Sequence, residues 1–336
     1  MVNAKNKSVK FGIIGCSRVA QKYFLPAIDS SNIVELGFIG SRDEKKSKEW
    51  AKKYGCEYFG TYEDVLESNV DAVYISLPIG LHEEWVLKAA ESGKHILCEK
   101  SATTSFDSAK RMVEHTKKNN VRLLEAFSFR FHPQHNLVLD YIHKNELGEL
   151  FNFYGTYGFP APSLDNIRWK KELGGGVLND VTCYPICASR ITFQSEPISI
   201  MSHLEYDKTS LVDVRNSIFM LYPKNKTAFV SSGFDNYYQS YYSIWGSNGR
   251  ITTKRSYAVP RDYITSIYLH KDDKINEVII PAVDQFKLMI EKFCDVLLGN
   301  AALFNFEDDL LKQAKVLEAV RYSAKTNKLT YLDEIK

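Results

Sequence analysis

Lys10-Phe11-Gly12-Ile13-Ile14-Gly15-Cys16-Ser17-Arg18-Val19-Ala20 is the stretch on which the fold turns. The apolar run Lys10 to Ile14 predicts a strand, Gly15 stops it, and the residues that follow favour a helix. Read as G-x-G-x-x-G/A, the stretch supplies Gly15, Ser17 and Ala20. The first position makes a tight turn, the second lets the backbone approach a pyrophosphate, and the third permits close helix packing. A helix opening at Ser17, Arg18 and Val19 points unsatisfied N–H groups at the phosphates. Ser17 departs from the usual glycine, and a strand-to-helix turn that binds nothing reads the same, so the surroundings must decide.

Outward from that turn, apolar strands at Val34 to Ile39, Ala72 to Leu77, His95 to Glu99 and Leu123 to Phe127 alternate with helical stretches. That alternation predicts a parallel sheet with crossover helices. Thr61 with Asp64 resembles a capping box, and Gly55 and Gly93 each follow a helical run as a stop. Cofactor choice falls at the end of the second strand, about twenty residues past the glycine turn. An NAD enzyme usually places Asp or Glu there, whereas this chain reads Gly40-Ser41-Arg42-Asp43. Ser41 and Arg42 suit a 2′-phosphate, with Arg18 adding charge from the adjacent turn, which favours NADP(H). A plainer reading keeps Ser41 and Arg42 as a solvated helix start capped by Asp43.

Past a helix at Gln134 to Asn145 the period changes to strand alternation, in Leu150 to Tyr157, Ser217 to Leu221, Ala228 to Ser232 and Tyr241 to Trp245. Ser247-Asn248-Gly249 punctuates a hairpin. These segments predict one large antiparallel sheet. Asp284 to Leu298 and Phe306 to Thr326 predict amphipathic helices that pack back on the first domain. With 336 residues the chain exceeds one ordinary core, so two domains are expected. A net charge of +2, with 44% hydrophobic and 25% charged residues, offers no pull toward nucleic acid or acidic membranes. After the basic start MVNAKNKSVK, the apolar run Phe11 to Ile14 is too short for a signal peptide. No stretch nears the roughly 20 apolar residues of a membrane span. The six cysteines, Cys16, Cys56, Cys98, Cys183, Cys187 and Cys294, form no CxxC pair and several lie in apolar runs. Reduced, buried thiols in a cytoplasmic protein are expected, with no disulfide and no metal.

Longer motifs follow in order: Asp71-Ala72-Val73, Leu77-Pro78, Leu81-His82, and Ala90-Glu91-Ser92-Gly93-Lys94-His95-Ile96-Leu97-Cys98-Glu99-Lys100. They resemble the glucose-fructose oxidoreductase, inositol dehydrogenase and rhizopine-catabolism (Gfo/Idh/MocA) family, whose signature is AGKHVLCEKP. The resemblance continues in Glu125-Ala126-Phe127-Ser128-Phe129-Arg130-Phe131-His132-Pro133-Gln134 and in Gly174-Gly175-Gly176-Val177-Leu178-Asn179-Asp180-Val181-Thr182-Cys183-Tyr184, and so covers nearly the whole chain. It implies an α/β protein: a Rossmann dinucleotide-binding domain at 1–127, then an α+β domain at 128–336 with a large, mostly antiparallel open sheet for substrate binding and oligomerisation. Homodimers or homotetramers are implied as well.

In such families the lysine of the EKP motif reaches nicotinamide and substrate, a role that falls to Lys100. Lys100 also ends a strand at its carboxyl edge, where ligands of open α/β sheets bind. Leu77, Pro78 and Glu99 are expected beside it at the cofactor, with His82 near the nicotinamide edge or simply bonded to backbone. Ser101 replaces the family proline, so any special Lys-Pro peptide geometry is expected to be lost. Asp180 and Tyr184 stand four residues apart, which on a helix means one face, and Pro185 predicts a kink. Many members carry histidine at the second position; the tyrosine here matches the glucose-fructose oxidoreductase, dihydrodiol dehydrogenase and sugar 3-ketoreductase branches. A phenol of unperturbed pKa about 10 is a proton donor for a nascent alkoxide, and a nearby lysine stabilises its phenolate. Asp180 would bind a substrate hydroxyl or cap the helix. Arg130, His132, Arg168 and Trp169 are further substrate-side candidates, while Cys183 and Cys187 read as core. The implied activity is NADP(H)-dependent reduction of a keto sugar, nucleotide-linked by preference. Oxidation of a cyclic diol or free sugar is the alternative, and a non-catalytic NADP(H)-binding regulator is the rival from another class.

Overall fold

The computed structural model describes residues 8–301 and 304–336, and the basic residues 1–7, with the reading made of them, lie outside it. In the first half the strands are β1 (Val9–Ile14), β2 (Val34–Gly40), β3 (Phe59–Gly60), β4 (Ala72–Ile75), β5 (His95–Cys98) and β6 (Leu123–Glu125). They form a parallel sheet in the order β3-β2-β1-β4-β5-β6. Parallel strands are covered on both faces by their crossovers, and β4 is accordingly buried at all four positions. The crossover helices are α1 (Leu25–Asp29), α2 (Glu44–Tyr54), α3 (Tyr62–Glu67), α4 (His82–Glu91) and α5 (Phe106–Lys118). The capping box forms as expected, Asp64 N–H donating to Thr61 Oγ1 and Thr61 N–H to the Asp64 carboxylate. Gly55 ends α2 at φ +65°.

Strand order reverses between β2 and β4 across β1, which puts Gly15, Ser41 and Leu77 at one carboxyl edge. β4 stops two residues earlier than expected. Ser76 still bonds Ile14 O through its N–H and donates its hydroxyl to Gly15 O at 2.7 Å. β6 likewise ends at Glu125, whose carboxylate accepts from Ala102 N–H at 2.8 Å.

The chain forms two compact units, one of residues 1–103, 107–128 and 286–311, the other of 104–106, 129–285 and 312–336. The first therefore includes most of α8 (Gln285–Leu297). Phe293 of α8 packs 6.4 Å from Phe11, which meets Phe24, itself stacked on Tyr74 at 3.9 Å.

The second unit holds β7 (Leu150–Phe159), β8 (Ser199–Tyr206), β9 (Asp213–Leu221), β10 (Thr227–Phe234), β11 (Gln239–Gly246), β12 (Arg250–Thr253), β13 (Thr265–Lys271), β14 (Lys274–Ile280) and β15 (Thr330–Tyr331). Their order is β14-β13-β12-β11-β7-β10-β9-β8-β15. Every pairing is antiparallel except β7 with β10. The sequence pattern does not reveal β8, β13, β14 and β15. One face is covered by α7 (Cys183–Phe193), whose Phe193 lies 6.4 Å from Phe153. The later part of α9 (Phe306–Thr326) joins β8 through Ser202, which donates to Val320 O. The opposite face carries a cross-strand row of Met201, Phe219, Phe229 and Tyr154 in register, and three of these are about 40% exposed. All six cysteines are buried. No described helix is long and apolar enough to cross a membrane.

Candidate active site

In the first unit the turn after β1 is built around Gly15. Its φ is +106°, and a Cβ there would sit 2.8 Å from Leu77 Cδ2, so only glycine serves. Ser17 does not leave its position bare as glycine would. Its hydroxyl accepts from Ala20 N–H at 3.0 Å and caps the helix that Arg18 and Val19 begin. Arg18 is exposed and Val19 half-buried. The turn thus offers helix-terminal N–H groups and no acidic side chain of its own, as a pyrophosphate requires.

At the end of β2, Ser41 is buried and its Oγ accepts from Asp43 N–H, while the Asp43 carboxylate accepts from Lys46 N–H. The cap expected of Asp43 therefore forms at the start of α2, and Arg42 projects into solvent. Burial pushes the Tyr62 phenol up against the pull of the Arg42 guanidinium. Lys46, one turn further on, carries no motif of its own. Its charge reaches the Cys16 thiol, which burial nevertheless raises to about 11. Among the described residues neither Arg42 nor Lys46 is in an ion pair, so two cations and a serine form a donor-only set of the kind a phosphate monoester needs.

At the ends of β4 and β5, Leu77 and Pro78 are half-buried. His82 is fully buried; its Nε2 faces Leu77 O at 2.8 Å and its Nδ1 faces Ser101 O and Ala102 O at 3.1 and 3.3 Å. Burial holds its pKa below the usual value against the pull of those carbonyls. With no exposed atom it cannot touch a cofactor, and its cofactor-binding assignment is corrected: it staples the loop carrying Leu77 to the loop carrying Lys100. Glu99 is likewise buried and accepts from the Tyr74 hydroxyl at 2.5 Å. Lys100 is half-exposed at the carboxyl edge of β5. The Lys100–Ser101 peptide is cis, so the unusual geometry has not been lost with the proline.

In the second unit the glycine-rich segment enters a π-helical turn, Leu178–Thr182, that runs into α7. Pro185 falls in the first turn of α7, where its missing N–H costs little, and the π turn before it takes the place of the expected kink. Gly176 has φ +111°, and its missing Cβ leaves room for Asp213, whose Oδ2 accepts from Leu178 N–H at 2.6 Å. Burial raises that carboxyl to about 6. Arg321 donates to Asn179 Oδ1 at 2.6 Å, and Asn179 donates to Gly174 O. Asp213 and Arg321, distant in sequence, thus pin the segment bearing the two motif residues.

Asp180 is engaged by Arg168, Nε to Oδ2 at 2.5 Å and Nη2 to Oδ1 at 3.3 Å. That carboxylate raises the guanidinium pKa further. Two candidates read separately therefore form one bidentate pair. Tyr184 sits half-buried within an aromatic wall, its ring centre 5.4 Å from Tyr157, 5.6 Å from Phe129 and 5.7 Å from Tyr257. Trp169 donates from Nε1 to Pro162 O and packs on Phe234. Arg130 lies half-buried in the single turn Ser128–Phe131. His132 is fully buried and caps α6 (Pro133–His143), its Nδ1 accepting from Gln134 N–H. Its Nε2 is buried without a hydrogen-bond partner among the described residues.

Residues 9–127 match the family profile described as an oxidoreductase family with an NAD-binding Rossmann fold, and residues 135–252 match the GFO/IDH/MocA C-terminal domain. A dTDP-3,4-didehydro-2,6-dideoxy-alpha-D-glucose 3-reductase of Saccharopolyspora spinosa is 32% identical over 94% of this chain and 97% of its own. A D-xylose 1-dehydrogenase (NADP(+)) of Haloferax volcanii is 30% identical over 96% and 99%. Among solved structures, a 3-ketoreductase from Actinomadura kijaniata in complex with NADP and TDP-benzene superposes with a TM-score of 0.90, at 30% identity over 94% of this chain and 98% of that one. That enzyme has also been crystallised with one lysine or one tyrosine replaced.

Proposed function

Because the chain belongs to the GFO/IDH/MocA oxidoreductase family, we propose that it is an NADP(H)-dependent reductase acting on the keto group of a nucleotide-linked keto-deoxysugar. One observation carries the reading. The lysine and tyrosine replaced in the A. kijaniata ketoreductase are separated by the same number of residues as Lys100 and Tyr184.

NADPH supplies the hydride. The helix-terminal N–H groups at Arg18 and Val19 would hold its pyrophosphate, the Ser17 N–H being taken by Gly15 O, and Ser41, Arg42 and Lys46 would hold its 2′-phosphate. As hydride reaches the keto carbon, the oxygen gains negative charge and Tyr184 donates its phenolic proton to it. Lys100 stabilises both the developing oxyanion and the phenolate left behind. The Arg168–Asp180 pair presents guanidinium N–H donors and carboxylate lone pairs side by side, a match for sugar hydroxyls. General acid catalysis of this kind contributes about 10² to 10⁴ in rate. The row of Met201, Phe219, Phe229 and Tyr154 is covered by a second copy of the chain in a homodimer or homotetramer, and the buried thiols suit the cytoplasm.

A second reading, oxidation of a free aldose, is favoured by the likeness to the xylose dehydrogenase. Loss of nicotinamide absorbance on mixing NADPH with nucleotide-linked 3-keto sugars tests the first. Turnover of D-xylose with NADP⁺ and none of the keto sugars would replace it with the second, and no turnover of either would leave a regulator.

A further inference from the structure

Arg255 takes no part in the chemistry assigned so far. It lies in the loop after β12, half-buried, with its guanidinium carbon 5.0 Å from the ring centre of Tyr238 and 5.0 Å from that of Tyr263. Its Nε donates to Ala258 O at 3.3 Å. Among the described residues it forms no ion pair, which is unusual for a partly buried guanidinium. Two aromatic rings lie against the group, as cation–π packing allows, while the donors at its two Nη atoms stay uncommitted. A planar fork held in this way is preorganised for an anion, and phosphate oxygens fit it best.

Its place in the sheet says which phosphate. Ser256 N–H donates to Ser240 O at 2.7 Å, which brings the Arg255 loop to the start of β11. Gln239 there pairs with Gly158 near the end of β7, and Phe234 at the end of β10 pairs with Phe159. The loop after β7 carries Arg168 and Trp169, the loop after β10 carries Tyr238, and the loop after β12 carries Arg255. All three gather at one end of the sheet. Tyr257, two residues beyond Arg255, has its ring 5.7 Å from that of Tyr184. Arg168 is already committed to Asp180, and Arg261 of the same loop is exposed, so Arg255 is the half-buried, ring-packed guanidinium of this loop cluster that can meet an anionic substituent of a substrate held at Tyr184.

We propose that Arg255, packed against Tyr238 and Tyr263, binds the diphosphate of a nucleoside-diphosphate sugar. The inference rests on the reading of the substrate as nucleotide-linked. Calorimetric titration of the full-length protein, saturated with NADP⁺, with thymidine diphosphate and with thymidine tests it. Thymidine diphosphate binds at least about tenfold more tightly than thymidine, and Arg255→Gln removes most of that difference while leaving thymidine and NADPH affinities within about twofold. Tyr238→Phe and Tyr263→Phe keep the rings and so keep the affinity. If Arg255→Gln fails to fold, Arg255→Lys reads the same contact, because losing the planar fork weakens thymidine diphosphate by at least about threefold. Unchanged thymidine diphosphate affinity in the folded variant overturns the assignment of Arg255 and leaves the nucleotide-linked reading standing. A loss of NADPH affinity instead overturns it by giving the group to the cofactor. A parent protein that binds thymidine diphosphate no better than thymidine, yet reduces an unphosphorylated keto sugar, brings down the substrate reading and the inference with it.

Discussion

Arg42 and Lys46 stand four residues apart around the start of α2, and both are proposed to hold the 2′-phosphate of the cofactor. Arg42→Ala should erase most of an NADPH-over-NADH preference of tenfold or more, worth about 1.4 kcal/mol, with NADH affinity nearly unchanged. Lys46→Ala should remove a smaller part. Equal NADPH and NADH affinities in the parent protein, measured by fluorescence titration, would sink the assignment. Tyr184→Phe deletes one hydroxyl, so NADPH binding and the thermal midpoint should hold while keto-sugar reduction falls by about two orders of magnitude. Lys100→Ala should be at least as damaging, and the double variant little worse than Lys100→Ala alone, because groups that deliver one proton together do not act additively. Full turnover by Tyr184→Phe would move the proton source elsewhere. The places of Gly15, Lys100 and Tyr184 at strand ends and a helix start are legible in the sequence because each sits in a contiguous motif. His82 reads as a site residue for the same reason, yet a motif does not say which way a ring turns, and both nitrogens of His82 turn into backbone. Asp213, Arg321 and Arg255 give no signal, since what they do depends on partners brought near only by folding.

The start of α6 governs how the second unit meets acid. His132 caps it, and His135 is fully buried between the Tyr242 hydroxyl at 2.8 Å and Ser256 O at 2.9 Å. Burial lowers the two imidazoles to about 4 and about 3 from 6.5. A group depressed in the folded state contributes stability above its unfolded pKa and loses it as pH falls through the folded one. Asp213, raised to about 6, works the other way: its contribution is complete below its unfolded pKa and is lost as pH rises through 6. Each tenfold change in a protonation equilibrium is worth about 1.4 kcal/mol, so the two histidines together outweigh the aspartate. Urea midpoints should therefore fall steadily from pH 7 to pH 4, and His135→Gln should flatten the decline. A rise in midpoint on acidification would show that the histidines are not held neutral. Among the elements themselves, the crossover helices are legible through their caps, as at Thr61 and Gly55. The β13–β14 hairpin is not, because its turn is Asp272-Asp273, both at positive φ, where such turns usually read Asn-Gly. β14 is mostly exposed and β8 buries serines at Ser199 and Ser202 that bond or pack inside, so neither shows a clean apolar alternation.

On the scale of the molecule, the exposed row from Met201 to Tyr154 predicts self-association. Tyr154 stacks on Phe229 at 5.2 Å, and Phe229 meets Phe219 at 5.2 Å, so the row is a continuous apolar surface. Light scattering at micromolar concentration should give at least twice the chain mass, and Phe229→Glu should shift it toward one chain. A parent protein that stays strictly monomeric would contradict the paired assembly. The general division into a parallel-sheet half and an antiparallel half is readable from the change of period near Leu150. The return of 286–311 to the first unit is not, because an amphipathic helix states that it has a partner and not which one. That return also sets a timetable for synthesis. When the ribosome has delivered Ser128, all six strands of the first sheet exist, but Phe293, which meets Phe11, and Glu307, which accepts from Arg122 and Leu123 N–H, are still unmade. At about 5 to 20 residues per second the missing stretch takes roughly ten to forty seconds to arrive. During that interval the nascent sheet is a client for chaperones, and a message cut before residue 311 yields a first unit that cannot finish folding.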